Sequence, residues 1–406
     1  MIRNLLQPYL DLGTSDRGPI FAEGIQHYWA AFQDAEAPRF ALQRTLPPAF
    51  RTIALTEMGC ADHIVDDPRD LPQNLRTPKW QLLCRALDQW PDLPEIAQSR
   101  LGLLLHALCF YQLINRLVPT LEDTSHIDNP YLADLAYTRA SASYVLSLPN
   151  RVSDYGNADL SRFVLISDAD GVHPQIGFNA AIKVFTHIAK TSASLDDLRE
   201  WEAKAAHFLH LIGDCEVEFD YLLSASRFYR ATAFVPMFAG DRADVVRQMD
   251  QATEFAQALK PETAAQDVLR RENLHPLLES RTKEAIWLGD LQAALGYAEQ
   301  VTQLDPFEAR GWLELGDVFM KLGQWGKALD AYLTSATIGP PATAIAQHMA
   351  GLCLLEMGQA SAAAYLFKSA IEADPGAVST RNQIRNLPDT QVISELKRWN
   401  LQTFGF

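Results

Sequence analysis

The stretch ARGWLELGDVFMKLGQWGKALDAYLTSATIGP, residues 309–340, decides how the chain is read. Trp312, Leu315 and Phe319 recur at helical spacing, Gly323 interrupts them, and Trp325, Ala328, Tyr332 and Ala336 resume the same spacing up to Pro340. Two helices joined by a glycine turn and closed by a proline is the layout this predicts. The layout also recurs: Pro306, Pro340 and Pro375 lie 34 and 35 residues apart, and Gly289, Gly323 and Gly358 repeat those two spacings.

Trp312, Leu315, Gly316, Phe319, Gly323, Trp325, Ala328, Tyr332, Ala336 and Pro340 together resemble the tetratricopeptide repeat. A third copy keeps Gly351, Leu354, Gly358, Ala363, Phe367, Ala370 and Pro375, with Gln347 and Ala350 in place of the tryptophan and leucine. The first copy, His275 to Pro306, is degenerate, keeping Gly289, Leu291, Ala294 and Pro306 while Arg281 and Thr282 replace the Leu-Gly pair. Upstream, Tyr221 to Phe238, Gly240-Asp241 and Arg242 to Leu259 share the layout with few signature residues.

The pattern has a packing reason. Gly316, Ala328, Gly351 and Ala363 let paired helices approach, while Trp312, Phe319, Tyr332 and Phe367 fill the space beside them. Gly289, Gly323 and Gly358 end first helices, where a positive φ strains glycine least. Segments 377–385 and 392–399 are expected to cap the last apolar face.

The resemblance implies a binding scaffold whose first helices line a groove. Carried onto this sequence, the groove positions are Glu279, Lys283 and Ile286, then Leu313, Asp317 and Met320, then His348, Leu352 and Leu355. The family's known clamp on a C-terminal carboxylate uses Lys, Asn and Arg at such positions. The mixed, largely apolar set here departs from it, so an extended or helical segment with apolar anchors is the expected occupant, unless the protein's own N-terminal part covers the face.

Working outward, Lys79 to about residue 220 reads as helical: Leu82, Leu83, Leu87 and Trp90; a long helix Glu95–Leu117; helices near 130–148 and 175–190; and one opened by the Ser194-Leu-Asp-Asp cap and running to about Ile212. Twelve of the 22 prolines fall in the first 130 residues, and those at 47, 48, 68, 72 and 78 make residues 1–78 loop-rich. A helix is expected at Phe21–Phe32 and another at about Ala49–Ile64, with a hairpin of 40–46 against 50–55 as the alternative to the latter. The expected fold is all-α: a right-handed superhelix of repeats over 221–386, packed on a helical region 79–220 behind the loop-rich start, with 387–406 as capping helix and tail.

A net charge of −15 and the absence of any Lys/Arg run argue against nucleic acid. The apolar stretch Leu101–Val118 is interrupted by His106, Gln112, Asn115 and Arg116, so it reads as a buried helix, not a membrane span. Residues 1–10 carry no apolar run of signal-peptide length, and the 5 scattered cysteines include no Cys-x-x-Cys pair, which fits a reducing cytoplasm.

Catalytic signatures such as His-Glu-x-x-His, Gly-x-Ser-x-Gly or a phosphate loop are absent from the sequence. Two weaker constellations remain. His207, His210, Asp214 and Glu218 fall on one face of a continuous helix, a weak set of metal candidates against a solvated polar face. Phe163 to Ser167 followed by Asp168-Ala-Asp170-Gly171 reads either as a strand ending in a metal-holding Asp-x-Asp or as a helix from Asp159 to Asp168 ended by a Gly171 turn. His126 lies in a polar loop, and Trp29, Trp80, Trp90 and Trp201 read as core. The expected function is a non-catalytic adaptor for a peptide or partner protein, with no cofactor. The alternatives are an enzyme with its site between Lys79 and Tyr221, the His207/His210 face being the candidate and the repeats recruiting its substrate, and a peptide-sensing regulator, although no basic helix-turn-helix is visible before residue 79.

Overall fold

The computed structural model describes residues 20–34, 36–43, 66–120, 126–147, 158–191, 194–215, 218–339, 342–388 and 391–404. They are overwhelmingly helical and, among the described residues, form no strand; one isolated bridge joins His126 to Asp170. No helix among them is long and apolar enough to cross a membrane. The chain divides into two compact units, one of Ile20–Leu277 and one that begins at Leu278.

The first unit holds α1 (Ile20–Gln33), α2 (Pro78–Asp88), α3 (Glu95–Ala107), α4 (Tyr111–Leu117), α5 (Pro130–Ser147), α6 (Ser161–Asp168), α7 (Pro174–Thr191), α8 (Leu195–Cys215), α9 (Glu218–Thr232), α10 (Phe234–Ala239) and α11 (Arg242–Ala258). Its main core packs Phe163, Phe178, Phe185, Ile182 and Leu198 with Trp201 and Phe208, so α6 to α9 share one apolar interior. Trp29, Trp80, Trp90 and Trp201 are all buried, as their spacing implies. The expected helix at 49–64 and the alternative hairpin lie outside the described residues, except 40–43, which are neither helix nor strand.

The continuous helix expected over Glu95–Leu117 is corrected: it breaks into α3 and α4 at Cys109. Cys109 adopts φ 63°, its N–H donates to the His106 carbonyl at 3.0 Å, and the Phe110 N–H reaches back to that of Leu105 at 2.9 Å. This is a Schellman C-cap with cysteine where glycine is usual. The break folds the apolar run back on itself, so Leu101, Leu104, Leu105, Leu108, Phe110 and Ile114 are all buried.

Residues 161–168 form helix α6, whose C-cap is the extended Ala169, and Gly171 turns the chain beyond it at φ 75°. The strand with a metal-holding Asp-x-Asp is therefore corrected, because Asp168 sits at a helix end and pairs with Lys204.

α12 (Ala264–Leu288) spans the boundary between the units, and it starts well before His275, where the first repeat copy was read to begin. The second unit continues with α13 (Leu291–Leu304), α14 (Ala309–Lys321), α15 (Trp325–Ile338), α16 (Thr343–Glu356), α17 (Ala360–Ala373), α18 (Val378–Asn386) and α19 (Gln391–Phe404). Gly289, Gly323 and Gly358 stand at φ 88°, 69° and 74°. Each makes the same pair of cap bonds as Cys109: Gly323 N–H to Met320 O at 3.0 Å and Gln324 N–H to Phe319 O at 2.9 Å in the central unit, for example.

Within each unit, close approach depends on a missing side chain. A Cβ on Gly316 would meet the Tyr332 ring at 2.5 Å, and one on Gly351 would meet the Phe367 ring at 2.5 Å. The last core is closed by Ile384 of α18, Leu387 at its C-cap, and Ile393 and Leu396 of α19, which pack with Phe367 and Ile371.

Candidate protein-interaction face

The face is built by α12, α14 and α16, the first helices of the three copies. On α12, Glu279 and Lys283 are one turn apart; on α14, Arg310 and Glu314 are too. Lys283 Nζ lies 2.7 Å from Glu314 Oε1, and Arg310 reaches Glu279 Oε2 at 3.5 Å. The carboxylates are the inner partners: the side chains of Glu279 and Glu314 are 7% and 13% exposed, whereas those of Arg310 and Lys283 are 53% and 62% exposed. The basic ends thus project over a pair of sunken acids. Burial and the neighbouring Glu279 charge push the Glu314 carboxyl up to about 7, and Lys283 and Arg310 oppose that rise.

Further along α14, Asp317 accepts a hydrogen bond from the Tyr332 hydroxyl at 2.6 Å, and that hydroxyl lies 3.9 Å from the Met320 sulfur. Burial raises the Asp317 carboxyl above the usual carboxylate range, while the Tyr332 bond pulls it back. On α16, His348 Nδ1 is 3.0 Å from Thr380 Oγ1, and its ring lies 5.6 Å from that of Phe367. Burial lowers its pKa, which keeps the imidazole neutral. Ile286, Leu313 and Met320 are half-buried against the core of Leu315, Phe319 and Tyr332. Leu352 and Leu355 pack in the same way against Phe367 and Ile371.

The structure therefore pairs Glu279 with Arg310 and Lys283 with Glu314, two partners absent from the expected groove set. The signal was available: opposite charges alternate at i, i+4 on each helix, and the two helices carry them in reversed order. Tyr332 fills space between the helices, as its spacing implies, and its hydroxyl also donates to Asp317 on this face.

The other candidate set does not assemble. His207, His210 and Asp214 are exposed on α8, with 3.7 Å between His210 Nε2 and Asp214 Oδ2. Glu218 is corrected out of the set, because α8 ends at Cys215 and Glu218 opens α9. No group of three His, Cys, Asp or Glu side chains among the described residues is placed to share a metal.

Comparison with known proteins agrees with the geometry of the second unit. Residues 284–343 and 321–378 match the family model described as Tetratricopeptide repeat. No curated protein matches the chain. Similar solved structures include YrrB, described as a TPR protein with an unusual peptide-binding site, at 15% identity over 51% of this chain and 97% of that one, TM-score 0.34. Others are the apo form of RapI, 10% identical over 80% of this chain and 86% of that one, TM-score 0.42, and a monomeric mutant of IFIT1 with m7Gppp-AAAA, 10% identical over 100% and 92%, TM-score 0.48. All are distant. With the family model covering the second helix of the first pair and both helices of the next two, each pair turning at a positive-φ glycine, residues 284–378 of this chain are tetratricopeptide repeats.

Proposed function

We propose that this chain is a non-catalytic adaptor whose repeats hold a segment of a partner protein on the face of α12, α14 and α16. Tetratricopeptide repeats are protein-interaction units, and stacked helix pairs create extended binding surfaces. The observation that carries the proposal is the cross-helix pairing of Glu279 with Arg310 and Lys283 with Glu314, beside the half-buried Leu313, Met320, Leu352 and Leu355. Sunken carboxylates fix the exposed Lys283 and Arg310 in place, which lowers the entropy lost when a partner engages them. An amphipathic segment fits: apolar anchors for the leucines and methionine, and acidic groups for the basic ends. The free cysteines Cys84, Cys109 and Cys353 are buried as thiols, and the proposal includes a reducing, cytoplasmic setting.

The test is affinity purification with mass spectrometry from the native cell, using wild type, Met320→Asp and Lys283→Glu, with Tyr365→Ser as a control on an exposed residue. A partner captured by wild type and the control but lost with both face variants supports the reading, provided circular dichroism shows the variants folded. A partner set unchanged by the face variants refutes it.

A further inference from the structure

Within the first unit, α3, α5, α7 and α9 and the segment at 38–41 line an open cavity of about 360 Å³, a size that suits a small organic molecule. Its polar wall carries three arginines with unequal commitments. Arg39 is held bidentately by Asp134, Nε to Oδ2 at 2.7 Å and Nη2 to Oδ1 at 2.5 Å. Arg227 is tied to Glu272 at 2.8 Å with both side chains buried. Arg100 is only 7% exposed, and its one hydrogen bond is from Nη2 to the Ala37 carbonyl at 2.9 Å. Its Nη1 is buried with no hydrogen-bond partner.

A buried guanidinium left half-satisfied is costly, since each unmet donor forfeits its hydration. Burial lowers the Arg100 pKa, and repulsion from nearby Arg39 adds to this while Asp134 opposes it. The remaining walls are of two kinds. Ile176, Leu223 and Leu269 are apolar and buried. Asn179, whose carbonyl already accepts from Gln43 at 2.5 Å, has its NH₂ to donate.

We propose that this cavity binds a small organic monocarboxylate, its head group on Arg100 and its apolar body against Ile176, Leu223 and Leu269. The charge count selects the ligand: of the three arginines only Arg100 lacks a carboxylate of its own, and Asp220 on the same wall opposes a second negative charge. A planar carboxylate matches the guanidinium fork, whereas a phosphate near its dianionic form brings more charge than the wall neutralises. The site is independent of the repeats.

The experiment titrates the full chain with hexanoate, benzoate, benzyl alcohol and inorganic phosphate by calorimetry, on wild type, Arg100→Gln and Arg100→Lys. At least one carboxylate is expected to bind saturably, more tightly than benzyl alcohol and phosphate, with about tenfold or greater loss in Arg100→Gln and a smaller loss in Arg100→Lys. In parallel, methyl NMR of the wild type is expected to show shifts at Ile176, Leu223 and Leu269 on adding the carboxylate, a readout that survives if Arg100→Gln does not fold. No carboxylate binding, phosphate binding more tightly, a titration unaffected by Arg100→Gln, or shifts confined to methyls elsewhere would each overturn the assignment.

Discussion

Lys283 Nζ lies 2.7 Å from Glu314 Oε1, and the two residues are 31 apart in sequence, the same separation that joins Glu279 to Arg310. Pairs with one constant offset tie the first helices of consecutive repeats in register, much as cross-strand pairs fix a sheet. The carboxylates lie on the buried side of both pairs. Burial and the neighbouring Glu279 charge raise the Glu314 carboxyl, and the exposed Lys283 and Arg310 oppose that rise.

Glu314 should consequently make the repeat unit more stable in mild acid. Its carboxyl moves from an ordinary 4.5 to about 7 on folding, so the folded state binds the proton more readily. Stability from this group is full below 4.5 and is lost as pH rises through 7. The ceiling is about 3 kcal/mol, reduced by the coupling to Glu279. Hydrogen exchange of α14 amides, corrected for intrinsic pH dependence, should show greater protection near pH ~5 than near ~8 in wild type and a flatter profile in Glu314→Gln. Equal slopes in the two proteins would sink the idea.

Glycines in the second unit should answer oppositely to alanine. Gly316→Ala sets a Cβ at 2.5 Å from the Tyr332 ring, a side chain held by its bond to Asp317. A loss of about 1–3 kcal/mol is expected from the overpacking. Gly296 lies inside α13 with nothing within 4 Å of its would-be Cβ. There alanine should add about 0.5–1 kcal/mol through helix propensity alone. Urea midpoints of the two variants must therefore move in opposite directions.

The contrast between these glycines shows what the sequence can and cannot disclose. Gly316 and Gly323 were readable because each repeats at a fixed spacing and has a local physical task. The break at Cys109 was not, because a run such as Leu101–Val118 keeps its helical period on both sides and offers no glycine or proline at the turn. Arg310 and Glu314 were missed for a third reason: the pairing offset depends on how one helix lies against the next. The cavity was beyond reach altogether, since Arg39, Arg100, Asp134, Asn179 and Arg227 are collected by tertiary packing from five separate segments.

At Cys109 the backbone holds a left-handed conformation, φ 63°, with a fully buried side chain, and the Tyr111 hydroxyl lies 3.6 Å from the sulfur. Cys109→Gly should relieve about 1 kcal/mol of strain while losing a comparable amount of packing, giving nearly unchanged stability. Cys109→Val keeps the bulk but places a branched Cβ in that conformation, so a loss of about 2 kcal/mol is expected. Denaturant midpoints of the pair separate backbone strain from burial. If glycine proves the worse of the two, packing governs the site, not strain.

Removing single partners from two ion pairs should show how far burial controls their value. Arg227 and Glu272 have side chains 5% and 7% exposed and stand 2.8 Å apart, whereas Lys368 and Glu372 are 35% and 56% exposed at 3.6 Å. Glu272→Gln strands a buried guanidinium and should cost about 3–5 kcal/mol, while Glu372→Gln should change stability by about 0.5 kcal/mol or less. The larger cost measures an uncompensated charge more than the worth of the pair. Replacing both buried partners with Met and Leu should accordingly recover most of the loss. The buried pair lies within the first unit and is best followed by hydrogen exchange in α9, and a double variant no better than Glu272→Gln would show that the pair itself stabilises the fold.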